Sequence, residues 1–253
     1  LLCPEAGRCA ARPRARRLPS SFFQSYQSIP GYLNVKHFQR ELDKIKKMIL
    51  SLGALVEQRV NRIKTAIEDR DVNLAKEIRH LDHEIDEMEV EIEEECLKII
   101  ALHQPVAADL RFLIAVIKIN NDLERIGDQV VNIAQRVVRV AKRTAAPHVF
   151  DYSVMADKAE SMLHMSLDSL VNQDLDLAIK VLHLDDEVDK LKNDAYDRIK
   201  QAMSDGVTED IGYMINLLLI SRHIERLADH ATNIAEEVVY MIEGEIVRHG
   251  KLD

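Results

Sequence analysis

Beyond residue 34, apolar side chains recur every three or four positions with charged residues between them, the pattern of amphipathic α-helices. Over about 35–67 the apolar face is Leu42, Ile45, Ile49, Leu52, Val56, Val60, Ile63 and Ile67. Asp71 reads as the N-cap of a second helix, in which Leu74, Ile78, Leu81, Ile85, Met88, Ile92 and Leu97 continue the pattern until His103-Gln104-Pro105 stops it. A third helix is predicted over about 105–143, and Pro147 centres a short linker over 144–151.

The pattern then repeats with its details. Asp71-Val72-Asn73-Leu74-Ala75 returns as Asp174-Leu175-Asp176-Leu177-Ala178, and His80-Leu81-Asp82-His83-Glu84-Ile85-Asp86 returns as His183-Leu184-Asp185-Asp186-Glu187-Val188-Asp189, both 103 residues later. The third helices match at 101, Glu124–Ala134 against Glu225–Ala235. A turn near Asp205 that is two residues shorter accounts for the difference, with Gly206 as helix stop and Thr208 as the next cap.

Short connections make neighbouring helices antiparallel, so the expected fold is all-α, two tandem three-helix bundles over 35–146 and 147–253. Residues 1–34, with four of the six prolines, are expected to be a disordered or non-native leader outside it. One continuous bundle or solenoid is the competing architecture, but two repeats fall short of the three that a solenoid usually needs.

Composition sharpens this. Aromatic residues make up 4% of the chain with no Trp, against 47% hydrophobic overall, which suits helices better than sandwiches or barrels. The net charge is −9, but residues 1–34 hold five Arg and one acid, so the remainder carries −13. Such a body repels nucleic acid and anionic membranes. No apolar stretch reaches the roughly 20 residues of a membrane span. Cys96 is the only cysteine of the helical body, which leaves it no internal disulfide and fits a reducing cytoplasm. Gly-rich phosphate loops, G-x-S-x-G and H-E-x-x-H are all missing, and no Ser/His arrangement suggests a nucleophile.

The candidate chemistry lies in paired acids. Glu124/Asp128 and Glu225/Asp229 stand four residues apart on the third helices, as do Asp82/Asp86 and Asp185/Asp189 on the second. Like charges at that spacing repel by about 0.2–0.5 kcal/mol. Two readings remain open: the four carboxylates of each bundle converge on a hard or borderline cation, or they pair with Arg79, Arg125, Arg226 or lysines along a solvated edge. Asn132 and Asn233 recur one turn later and read as packing residues, while His83, replaced by Asp186 in the second half, is at most an accessory ligand.

His37-Phe38-Gln39-Arg40-Glu41-Leu42, the D-x-x-x-D segments and the twin E-R-I/L-G/A-D-x-x-x-N-I-A phrases together resemble the PhoU family of bacterial phosphate-signalling proteins over about 35–243. The resemblance implies a cytoplasmic, usually homodimeric protein of two three-helix bundles that catalyses no reaction. It implies damping of the phosphate-starvation response, between the ATP-binding subunit of the phosphate ABC transporter and a membrane sensor histidine kinase. It also implies iron, zinc, manganese or magnesium held at Asp82, Asp86, Glu124 and Asp128, and at Asp185, Asp189, Glu225 and Asp229. The competing functions are a metal-dependent hydrolase or oxidase built on the carboxylates, and a structural dimer whose acids only solubilise its surface.

Overall fold

The computed structural model describes residues 30–142, 149–206, 210–245 and 247. Leu1–Arg40 and Glu41–Asp253 separate into two units, and the architecture below is that of the second. The described residues form helices α1 (Pro30–Glu68), α2 (Val72–His80), α3 (His83–His103), α4 (Ala107–Val140), α5 (Ser153–Asn172), α6 (Leu175–Ser204) and α7 (Ile211–Glu243). Counting α2 and α3 as one interrupted helix, these are six helices in two three-helix bundles.

The helix ends follow local chemistry. The Asp71 carboxylate accepts from the backbone N–H of Asn73 and Leu74, and Asp174 repeats this for Leu177 N–H. Thr208 lies outside the described residues, and the cap of α7 is Asp210, which accepts from Tyr213 N–H. Gly244, at φ 78°, ends α7 in the left-handed conformation that glycine adopts without strain. The 144–151 linker and the boundary at 146/147 lie largely outside the described residues.

One predicted helix is broken. A turn at Leu81-Asp82 separates α2 from α3, whereas its counterpart α6 is continuous. His83 Nδ1 lies 3.1 Å from the His80 carbonyl, a contact that needs the proton on Nδ1, and it satisfies a carbonyl near the break. Asp186 stands at this position in α6 and supplies no such donor.

The apolar stripe of α1 is buried as its spacing predicts, from Leu42 through Ile63. The third helices are buried more widely than one bundle requires. Ile119, Ile126, Ile133 and Gln129 of α4 are covered because α4 runs antiparallel beside α7 as well as packing in its own bundle. The first helices pair likewise: Lys64 meets Asp157 at 2.6 Å and Glu160 at 2.9 Å, and the Glu57 carboxylate meets His164 at 2.8 Å. Gly53 brings α1 close to Leu167, where an added Cβ would meet a methyl carbon at 3.0 Å. The α1–α5 and α4–α7 pairs thus join the repeats through equivalent helices.

Packing also differs by compensation between repeats. A Cβ on Gly127 would lie 3.0 Å from Ile85 Cδ1. The second repeat holds Ala228 and Val188 at these positions, moving about a methyl group from one partner to the other.

Candidate functional site

The acidic pairs lie where second and third helices meet. In the first bundle Asp82 sits in the α2–α3 turn, Asp86 in the first turn of α3, and Glu124 and Asp128 one turn apart on α4. Arg125 reaches both of the latter, with Nε 3.2 Å from Glu124 Oε2 and Nη1 3.2 Å from Asp128 Oδ2. Partial burial holds the Glu124 carboxyl above its usual range, with Asp128 adding repulsion and Arg125 opposing it. Burial likewise raises Asp82, with Asp86 and Asp128 contributing, and raises Glu89, with Glu93 and Asp86 contributing.

The second bundle solves the same repulsion with a different residue. Lys192 Nζ lies 2.7 Å from Asp189 and 2.9 Å from Glu225, bridging α6 and α7. The Thr232 hydroxyl donates to Asp185 at 3.3 Å. Asp229 is pushed up to about 6, chiefly by burial and then by Glu225, Asp185 and Asp189. By the 103-residue repeat, the first bundle has Glu89 where the second has Lys192. The two bundles therefore differ in local charge despite matching motifs.

This geometry overturns the expectation of bound metal. Among the described residues, no three His, Cys, Asp or Glu side chains form a group that could hold a metal ion. Asp82, Asp86, Glu124 and Asp128, and Asp185, Asp189, Glu225 and Asp229, come within electrostatic reach of one another without converging as a ligand set. Arg125 and Lys192 supply the opposing charge from within the chain. Iron, zinc, manganese and magnesium have no fitting donor set here, and His83 is engaged with His80.

Between α4 and α7 lies an open cleft of about 1300 Å³ whose walls include Glu89, Glu93, Asp128, Asp185 and Asp229. Its helices are tied by cross-bundle polar contacts. Lys118 donates to both oxygens of Glu237, which is 3% exposed, at 3.2 and 3.1 Å. Asp122 accepts from His230 at 2.9 Å and from Asn233 at 3.1 Å. His223 Nδ1 lies 2.9 Å from Gln129 Oε1. The 101-residue repeat maps Asp122 onto His223 and Gln129 onto His230, so these two contacts are equivalents across the repeat axis. Motif spacing did not reveal them, because Asp122 and Gln129 fall on the polar side of the third helix when it is read alone.

Fold and site together define an all-helical, internally duplicated protein with carboxylate pairs set on each repeat. The PhoU domain family model matches residues 49–137 and 152–238, one copy in each repeat. The phosphate-specific transport system accessory protein PhoU homologs of Pseudomonas putida and Aquifex aeolicus are 34% and 37% identical to the chain. These alignments cover 85% and 83% of this chain, and 84% and 95% of the relatives. The crystal structure of PhoU from Pseudomonas aeruginosa is similar at a TM-score of 0.78 and 35% identity, covering 82% of this chain and all of the other. The phosphate transport system regulatory protein PhoU from Streptococcus pneumoniae gives 0.77 and 31%, covering 83% and 99%. The chain belongs to the PhoU family. It is accordingly a non-catalytic regulator in phosphate transport and homeostasis, not a hydrolase or oxidase.

Proposed function

We propose that this protein is a cytoplasmic, homodimeric adaptor that lowers phosphate uptake and the phosphate-starvation response when phosphate is plentiful. It does so by contacting the ATP-binding subunit of the phosphate ABC transporter and holding a membrane sensor histidine kinase inactive. The observation that carries this reading is the match of a PhoU domain to each repeat, with the chain covering most of its relatives' length. Among the described residues no helix is long and apolar enough to cross a membrane. The carboxylates at Asp82, Asp86, Glu124, Asp128, Asp185, Asp189, Glu225 and Asp229 contribute to the charge of the contact surface.

Deletion of the gene tests the reading in the native host. Alkaline phosphatase is expected to be expressed in phosphate-rich medium after deletion and to return to repression when the chain is restored. Continued repression in the deletion strain would refute it.

A further inference from the structure

The outward face of α3 departs from what the fold demands. Val90 and Leu97 are 51% and 53% exposed, and seven residues apart they lie in line on the helix. Asp86 and Glu93 border this apolar rib on one side, Glu87 and Glu94 on the other, and all four are exposed. None of the four makes an ion pair among the described residues. Across α3 there are eight carboxylates and one lysine, Lys98. The acids continue past the rib, for Glu93 also lines the α4–α7 cleft.

The second repeat supplies an internal control. On α6 the positions of Val90 and Leu97 are Asn193 and Lys200, and those of Glu87 and Glu93 are Lys190 and Tyr196. The same helical scaffold is therefore built without the rib and with only two of the four border acids, Asp189 and Asp197 standing at the positions of Asp86 and Glu94. Folding does not explain an apolar rib framed by unpaired acids on one bundle alone.

We propose that this α3 face docks a cationic amphipathic helix of a partner protein, one whose apolar residues recur at heptad spacing between Lys and Arg. Apolar knobs of the partner cover Val90 and Leu97, and its basic residues meet the two acidic borders. Charge complementarity selects this occupant, since an anionic membrane or nucleic acid would be repelled by the same border. The inference rests on the adaptor reading and gives it a surface and a partner chemistry.

A synthetic 21-residue helical peptide with leucines at heptad spacing flanked by lysines tests it, by fluorescence anisotropy against the full chain in physiological salt. Val90→Asn/Leu97→Lys, which installs the residues of the second repeat, is expected to weaken binding by at least about tenfold. Glu87→Lys/Glu94→Lys is expected to weaken it comparably, and circular dichroism checks that both variants remain helical. Equal binding by wild type and both variants would overturn the proposal, as would equal binding of a scrambled peptide of the same charge. A change in oligomeric state by light scattering in Val90→Asn/Leu97→Lys, with peptide binding unchanged, would instead assign the face to a second copy of this chain and also overturn it. Failure of the wild type to bind either transporter subunit or kinase sinks the adaptor reading alone. Partner binding that survives both variants sinks only the α3 face.

Discussion

His223 shows how one side chain ties the repeats together and makes the tie sensitive to pH. Its Nδ1 contact with the Gln129 carbonyl oxygen requires a proton on Nδ1, while Nε2 is buried without a hydrogen-bond partner. Burial pushes the imidazole down to about 4, with Arg136, Arg226 and Arg222 opposing its charge. The folded state thus binds fewer protons than the unfolded state between about pH 6.5 and 4. The resulting stability is present above pH 6.5 and lost as pH falls through that window. Asp229, raised to about 6, acts in the opposite sense, because its folded form holds a proton that the unfolded form releases above about 4. Comparing variants isolates the histidine. His223→Gln is expected to lose about 1–2 kcal/mol less than wild type on acidification from pH 7 to 4, after discount for partial exposure. Urea denaturation at both pH values measures this, and parallel losses would rule it out.

At the scale of elements, the repeat made the helices legible and concealed a difference between them. Periodicity located α1, the internal repeat placed α6 and α7 and implied α5 before them, and the caps at Asp71 and Asp174 came directly from residue type. The turn at Leu81-Asp82 did not, because the apolar period continues through it and the contact between His83 and His80 has no periodic trace. The carboxylate pairs were equally visible, and so was Arg125 as a counter-charge to Glu124 and Asp128, but the bridging lysine was not. Lys192 lies on α6 and joins Asp189 to Glu225 on α7, a relation that depends on how the helices face each other. Its absence from the first bundle, where Glu89 occupies the position, leaves Glu124 repelled by Asp128, Asp86 and Glu89, and Asp82 and Glu89 each repelled by Asp86. Glu89→Lys is therefore expected to stabilise the protein by up to about 1 kcal/mol in urea denaturation at low salt, and by less at high salt. Lys192→Glu should show the reverse. A change of the same sign in both variants would contradict the account.

At the scale of the whole molecule, duplication is used twice, within each bundle and between bundles. Two antiparallel pairings, α1 with α5 and α4 with α7, join equivalent helices and hold the repeats together within Glu41–Asp253. The second pairing buries Gln129 and Ile126, which a single-bundle helical wheel leaves unexplained. Sequence periodicity reads one face at a time, so a helix covered on two flanks presents more buried positions than its stripe predicts. The α4–α7 cleft was invisible for the same reason. The duplication sets like sites with unlike charge on the two repeats, and the proposed adaptor role assigns them to partner binding. Binding of the purified full chain to the ATP-binding subunit of the host's phosphate transporter, and to its sensor kinase, tests this most directly. A saturable complex in high phosphate is expected with at least the transporter subunit, whereas no complex with either protein at any phosphate concentration would contradict the account.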